Sequence, residues 1–246
     1  MENNIGKEFM RMTRYANLEQ SAQSQGIPMP PIELPLPEGA QVLALPDRKS
    51  LSLPAFDLAA LMEKRETLRK YSPQALSQAE LAYLLWGTQG VKSINEKNIS
   101  RRLVPSAGAR HAFETFLLIN RVDGLEAGLY RYLSLKHELA RLPAPADFNA
   151  QLTQACLNQP HVANSAVTFI WVADVQRMVW RYCQRGYRYM YLDAGHVCQN
   201  LYLLAESIGC GVCALAAYDD ELVNMALNLD GENQFAIYLA TVGKRA

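Results

Sequence analysis

The sequence predicts the α+β fold class, because helical and extended segments follow one another without the strict alternation of a doubly wound parallel sheet. Two helical segments come first, followed by hairpin strands, further helices and a last strand. Of the 246 residues, 50% are hydrophobic and 20% are charged, so the chain can fill one sizeable core. We therefore expect an ordinary globular protein.

The N-terminal part, residues 1–56, is predicted to form an arm that precedes a folded domain at residues 57–246. Its stretch from 26 to 54 is rich in proline, which opposes helix formation, so it should run extended across a surface. A disordered linker is the alternative. Interleaved apolar residues favour packing against the domain, and these are Ile32, Leu34, Leu36, Leu43 and Leu45.

Two helices are predicted at the start of the domain. From Asp57 onward, apolar residues recur with the spacing of a helix face. The second helix follows Ser77, which opens a Ser-Gln-Ala-Glu capping box, and it ends at Gly87 or Gly90.

Extended segments and two more helical regions follow. The extended segments are a strand at 111–122, a hairpin at 124–142, a central strand at 166–174 and a final strand at 234–246. Residues 147–157 have helical spacing. The periodic segment 178–209 is long enough for one or two helices, with Gly186 and Gly195 as candidate interruptions.

Charge and cysteine content limit the class of protein. Lys plus Arg (24) equals Asp plus Glu (24), which argues against binding of nucleic acid or an anionic membrane by the whole molecule. The polar N-terminus lacks the features of a signal peptide, and no apolar run approaches the length of a membrane span. Five scattered cysteines suit reduced thiols, so we expect a cytoplasmic protein.

Residues 209–214 match the dinucleotide-binding pattern G-x-G-x-x-A, with Asp230 at a suitable distance for a ribose-binding acid. That fingerprint requires a preceding strand, whereas the residues before Gly209 have helical spacing. The pair Cys210 and Cys213 also follows a helix, which favours buried, unreactive thiols over a redox site. No second ligand pair accompanies them, so we expect no metal.

The segment 64–71, Lys-Arg-Glu-Thr-Leu-Arg-Lys-Tyr, resembles the Arg-Arg-Ser-x-Arg-x-Tyr/Phe segment of the FMN-dependent nitroreductase superfamily. An FMN phosphate needs guanidinium groups and a hydroxyl, which Arg65, Thr67 and Arg69 would supply. Glu66 departs from the pattern and would contribute only backbone. Taken alone, the segment is more typical of a solvated, charged helix end.

Two further segments carry the resemblance, in particular to the SagB-type branch. Residues Pro105, Ser106, Ala107 and Gly108 are similar to a Pro-Ser-Ala-Gly-Ala stretch that approaches the flavin ring and ribityl chain, often from the partner subunit. Near the C-terminus, the backbone of Gly211, Val212 and Cys213 would lie beside the isoalloxazine, and Lys244 and Arg245 would close on the phosphate. The alternatives are a plain loop and a basic tail.

The resemblance implies a nitroreductase-like fold with a central mixed or antiparallel sheet flanked by helices, in an intertwined homodimer. It also implies bound FMN, hydride supply from NAD(P)H and a small organic acceptor resembling a nitroaromatic or a quinone. Each FMN site would be built from two subunits.

Other functions stay open on the sequence alone. SagB-type azoline dehydrogenases tend to carry a Lys-Tyr pair where this chain has Arg181 and Tyr182, and an arginine is a poor base. Tyr182 or Tyr187 could act as a catalytic acid, although packing across a dimer explains this aromatic segment slightly better. A non-catalytic flavin-binding protein is the remaining alternative.

Overall fold

Helices and strands alternate irregularly in the computed structural model, which describes residues 4–50, 52, 53 and 55–246. The helices of this part of the chain are α1 (Ile5–Met12), α2 (Leu58–Lys64), α3 (Gln78–Gln89), α4 (Phe148–Ala155), α5 (Pro160–Asn164), α6 (Val175–Tyr182), α7 (Gly186–Ser207) and α8 (Asp220–Ala226). The strands are β1 (Gln41–Ala44), β2 (Val91–Ile94), β3 (Ser100–Arg102), β4 (Phe113–Ile119), β5 (Gly128–Leu133), β6 (Glu138–Arg141), β7 (Val167–Asp174), β8 (Cys210–Leu215) and β9 (Gln234–Lys244). Among the described helices, none combines the length and apolar character that crossing a bilayer demands.

Seven strands form one sheet in the order β1-β6-β5-β4-β7-β9-β8, and every neighbouring pair is antiparallel. The remaining two, β2 and β3, form a separate antiparallel pair. The predicted α+β class and antiparallel sheet are confirmed. The predicted hairpin is the β5–β6 pair, and the predicted central strand is β7, which lies between β4 and β9.

Strand β7 shows why the predicted central strand is mostly apolar: all eight of its residues are buried. Phe169 and Trp171 belong to the core that α3 and α7 cover. Ile170 and Val172 belong to a second core, covered by α4 and α8. Because side chains alternate along a strand, a sheet with helices on both faces needs apolar residues at every position.

Helix α3 begins as its capping box predicts. The Ser77 hydroxyl accepts a hydrogen bond from the Glu80 amide (3.2 Å), and the Glu80 carboxylate accepts one from the Ser77 amide (2.9 Å). Gly90 follows the last helical residue, whereas Gly87 lies inside the helix, where α3 meets α7. A Cβ at Gly87 would lie 2.1 Å from Cδ1 of Leu204, so a larger residue here would displace the Leu204 side chain.

The periodic segment 178–209 forms parts of two helices, α6 and α7. A short 3₁₀ turn separates them, with Cys183 at a φ of +48° and Gly186 as the first residue of α7. Gly195 lies within α7 and does not interrupt it. The helix then leads to Gly209, with strand β8 directly afterwards, which is the reverse of the order that a dinucleotide-binding fingerprint requires.

The Pro-rich arm is held on the domain by buried side chains, but it is not extended throughout, because Arg48–Ser50 form a 3₁₀ turn. The Arg131 guanidinium donates hydrogen bonds to the carbonyls of Leu34 (3.0 Å) and Pro35 (2.9 Å). The Glu114 carboxylate accepts a bond from the Leu34 amide (2.8 Å). Further along, β1 pairs with β6, so the arm also supplies an edge strand of the sheet.

Candidate functional site

Two of the three segments that resemble a flavin site come together in the structure. Residues 65–72 run beside the ends of β8 and β9. The Leu68 amide donates to the Val212 carbonyl (2.9 Å), and the Ser72 amide donates to the Lys244 carbonyl (3.0 Å). Thr67 also pairs with Val212 as an isolated parallel bridge. We call this region the basic surface: Arg65, Glu66, Thr67, Arg69, Gly211, Val212, Cys213, Lys244 and Arg245.

Two glycines allow these segments to approach each other. A Cβ at Gly211 would lie 2.4 Å from Cδ2 of Leu68, and a Cβ at Gly243 would lie 2.7 Å from Cγ of Tyr71. Any larger residue would separate the strands from residues 65–72. From the sequence, Gly211 is expected to make room for a flavin ring; in the structure, Leu68 fills the space beside it.

Tyr202 of α7 lies at the centre of the basic surface, although no sequence pattern singles it out. Its hydroxyl accepts a hydrogen bond from the Ala214 amide (3.0 Å) and lies 3.2 Å from the Thr67 hydroxyl oxygen. The Arg65 guanidinium lies over its ring, 5.5 Å from the centroid. The sequence carries only a weak signal for Tyr202: its hydroxyl stands among apolar residues at 201–205, and such a hydroxyl usually needs a hydrogen-bond partner when it is buried.

Arg65 and Arg69 keep their charge available. Neither forms an ion pair within the described ranges. Arg69 is exposed and reaches the Cys213 thiol. Burial raises the pKa of that thiol, and the guanidinium of Arg69 partly offsets the rise. An anionic ligand could therefore use both arginines.

The C-terminal cations, in contrast, are already paired with carboxylates. Lys244 contacts Glu80, while Arg245 contacts Glu66 (2.9 Å) and Glu206 (2.6 Å). These contacts raise the pKa of Arg245, with Glu206 as the main cause. The Glu66 side chain thus takes part in the surface, whereas the sequence assigns it only a backbone role.

The predicted ring-contacting loop lies in a different place, beside α6 and the first half of α7; it consists of Pro105, Ser106, Ala107 and Gly108. The Ala107 amide donates to both carboxylate oxygens of Asp193 (3.2 and 3.3 Å). Gly108 has a φ of +57°, and a Cβ there would lie 2.4 Å from the Tyr182 hydroxyl. The loop is therefore packed between two helices of its own chain.

The two tyrosines considered as catalytic acids lie where α6 ends and α7 begins. The Tyr182 ring packs edge-on against Tyr189, with centroids 4.8 Å apart, and the Arg181 guanidinium lies 5.5 Å from its centroid. Tyr187 is half-buried and packs against the main core. Since its hydroxyl faces Gly108, Tyr182 belongs with the loop rather than with the basic surface.

Helix α7 connects the loop and the basic surface. Asp193 contacts the loop, and Tyr202 contacts the basic surface. They lie nine positions apart on the helix, which corresponds to about 14 Å at the rise of an α-helix. Within one chain, the predicted site residues therefore form two separate groups.

Comparison with known proteins agrees with this fold. The Nitroreductase family model matches residues 62–244. A nitroreductase homologue of Methanocaldococcus jannaschii is 30% identical over 202 residues, which cover 81% of this chain and 98% of the homologue.

A processing protein and a solved structure are also similar. The microcin B17-processing protein McbC of Escherichia coli is 30% identical over 142 residues, 53% of this chain and 49% of McbC. A nitroreductase crystal structure from Anabaena variabilis superposes with a TM-score of 0.68 at 27% identity, covering 85% of this chain and 42% of that one. The predicted family is confirmed: this chain belongs to the nitroreductase family.

Proposed function

We propose that this chain is an FMN-dependent oxidoreductase that takes hydride from NAD(P)H and delivers it to a small organic acceptor such as a nitroaromatic or a quinone. Its family is one of oxidoreductases. Bound FMN would supply the redox chemistry. The observation that carries the proposal is the basic surface, where two guanidinium groups that form no ion pair with the described residues lie beside the main chain of an edge strand.

The side chains of residues 65–69 suit a flavin phosphate. A phosphate group carries nearly two negative charges and is bound best by the planar fork of arginine. Arg65 and Arg69 supply two such forks, and Thr67 adds a hydroxyl that Tyr202 orients from α7. Tyr202 also holds Arg65 against its ring, which restricts the guanidinium before any ligand arrives.

Residues 65–68 hold the outer edge of strand β8. The Val212 carbonyl accepts a bond from the Leu68 amide, and the parallel bridge between Thr67 and Val212 directs the Val212 amide at the Glu66 carbonyl. The 65–69 segment and the backbone of 211–213 are therefore fixed relative to each other.

The proposed active unit is a homodimer. The loop at 105–108 and the basic surface of the same chain contact different parts of α7 and are separate from each other. The resemblance places such a loop in the partner's site. Exposed apolar side chains on α1 and α7 would be covered in a dimer: Ile5 is 77% exposed, Tyr191 58% and Leu192 62%. Arg188 joins these helices by donating to the Met10 carbonyl (2.5 Å).

Purification of the full chain tests the proposal directly. The protein is expected to be yellow, to release FMN on denaturation and to oxidise NAD(P)H steadily when a quinone or nitroaromatic is added. A colourless protein that does not take up FMN would exclude the proposed function. Steady turnover would exclude a non-catalytic flavin-binding protein.

The variant Arg69→Ala tests the phosphate assignment. It is expected to weaken FMN binding by roughly tenfold or more, because one charged hydrogen-bonding partner is lost. Lys136→Ala is the control, since it removes an exposed cation from the β5–β6 turn. These two strands lie near the opposite edge of the sheet from β8. The dissociation constant from flavin fluorescence is the measurement, and an unchanged value in Arg69→Ala would contradict the assignment.

Oxidation of azoline rings in a modified peptide is the second candidate, favoured by the similarity to McbC. Against it, Arg181 stands in the position expected of a lysine, and its guanidinium lies over the Tyr182 ring instead of acting as a base. Incubation of the FMN-loaded protein with a thiazoline-containing peptide distinguishes the two. Formation of the thiazole by loss of two hydrogens would support this second function.

A further inference from the structure

We infer that Asp193 is a positioning residue: its buried carboxylate on α7 holds the loop at residues 105–108 in the shape that meets a flavin ring. The inference rests on the proposed function and adds a residue to it. Asp193 would not touch the flavin; it would act through the loop.

The contacts of Asp193 are directed at this loop. Its side chain is almost completely buried, with 4% exposure. Both carboxylate oxygens accept the Ala107 amide (3.2 and 3.3 Å), and the Ser106 hydroxyl donates a further hydrogen bond. Burial raises the pKa of this carboxyl, while these two donors oppose the rise. A buried carboxylate is thus satisfied mainly by two consecutive loop residues.

The loop needs such a contact because its backbone is unusual. Gly108 and Ala109 have φ values of +57° and +53°, a conformation that residues with side chains rarely adopt. The turn that begins at Ala107 receives no capping bond from the Ser106 side chain. Asp193 instead accepts the first amide of the turn, which takes the place of a cap.

The opposite side of the loop is also fixed. Gly108 lies against the Tyr182 hydroxyl and the Arg181 side chain, at 2.4 and 2.9 Å from a Cβ built on it. The loop is therefore enclosed between α7, through Asp193, and the end of α6. Loss of the Asp193 contact would free only one of these sides, so the loop would shift relative to Tyr182.

Binding of two flavins separates this role from phosphate binding. FMN and riboflavin share the ring and differ in the phosphate. Asp193→Ala is expected to weaken binding of both by a similar factor, about tenfold, and to shift the visible absorption of bound flavin. Arg69→Ala is expected to weaken binding of FMN while leaving that of riboflavin unchanged.

Two variants serve as controls. Asp193→Asn keeps an oxygen that accepts the Ala107 amide, so it should restore both affinities to within about twofold of wild type. Glu221→Gln removes an equal charge from the exposed side of α8 and should match wild type. If folded Asp193→Ala binds FMN and riboflavin with wild-type affinity and gives the wild-type absorption spectrum, the inference is overturned, while the proposed function stands. A wild-type chain that binds neither flavin would overturn both.

A second variant covers the case in which Asp193→Ala does not fold. Ala107→Pro removes the same hydrogen bond from the loop side, at the first position of a helical turn, where proline is tolerated. Ser106 already has the extended backbone (φ −145°, ψ 146°) that a following proline requires. Parallel weakening of both flavins is expected. Unchanged binding in folded Ala107→Pro would overturn the inference.

Discussion

At the level of single residues, the hydroxyl of Tyr202 connects three parts of the basic surface: the 65–69 segment, α7 and β8. Tyr202→Phe removes only this oxygen and leaves the Ala214 amide without its partner. We expect the free energy of unfolding to fall by about 1–2 kcal/mol, with FMN affinity reduced a few-fold because Thr67 is no longer oriented. Urea denaturation and flavin titration measure the two effects.

A neighbouring tyrosine provides the matched control. The Tyr83 hydroxyl lies 3.3 Å from Ser207 Oγ, at the contact between α3 and α7 and outside the basic surface. Tyr83→Phe should lower stability by a comparable or smaller amount without changing FMN affinity. Equal loss of affinity in both variants would show that Tyr202 acts through general stability alone.

Among the secondary-structure elements, the Pro-rich arm depends on side chains of the domain for its hydrogen-bond donors. Prolines have no N–H and cannot form the regular ladder of a sheet, so the carbonyls of the arm need other donors. Buried arginines provide them: Arg177 donates to Pro31 (2.8 Å), and Arg131 donates to Leu34 and Pro35 (3.0 and 2.9 Å). The arm is thus bound through its backbone by the domain that it covers.

Arg131→Met tests this account. It leaves two carbonyls without donors, so the free energy of unfolding should fall by about 2–3 kcal/mol and the arm should become sensitive to protease. Arg141→Met, on the neighbouring strand, breaks only a partly exposed ion pair with Glu126 and should cost less than about 1 kcal/mol. Denaturant unfolding and limited proteolysis provide the comparison. Equal effects of both substitutions would contradict a special role of Arg131.

Elements with local signals could be predicted from the sequence. The Ser77 capping box and the apolar run of β7 each contain their own evidence, because a cap and a buried strand are specified by adjacent residues. Strand β1 could not be predicted, since its only strand character is its pairing with β6. The short pair β2–β3 has mostly polar residues, exposed in β2 and largely buried in β3, without an apolar alternation to reveal it.

Prediction of the candidate site has the same limit: residues with a local motif are found, and residues defined by distant contacts are not. Family-like motifs indicated residues 65–69 and 211–213, and the structure brings them together. The sequence does not single out Tyr202, and it places Asp193 in a family-like segment without giving it a role, because the significance of both residues depends on contacts with segments far away in sequence. The pairing of Arg245 with Glu206 was equally out of reach, since a helix position does not reveal which tail residue it meets.

At the level of the whole molecule, the separation of the two groups of site residues predicts how subunits combine. Arg69→Ala damages the basic surface, whereas Gly108→Val forces a β-branched residue to a φ of +57° and damages the loop. If each site uses the basic surface of one chain and the loop of its partner, a mixed dimer has one intact site and one doubly damaged site. A site built within one chain would leave no intact site in any mixture.

Coexpression of Arg69→Ala and Gly108→Val in equal amounts distinguishes a site shared between two subunits from a site within one chain. Random pairing makes about half of the dimers mixed, so about a quarter of all sites should bind FMN with wild-type affinity. Each variant expressed alone should show none of these tight sites. The proportion follows from flavin titration of the mixture, with size-exclusion chromatography to establish that dimers are present. No tight binding in a mixture of dimers would assign the loop to the site of its own chain, and a monomeric wild-type protein would exclude the shared site altogether.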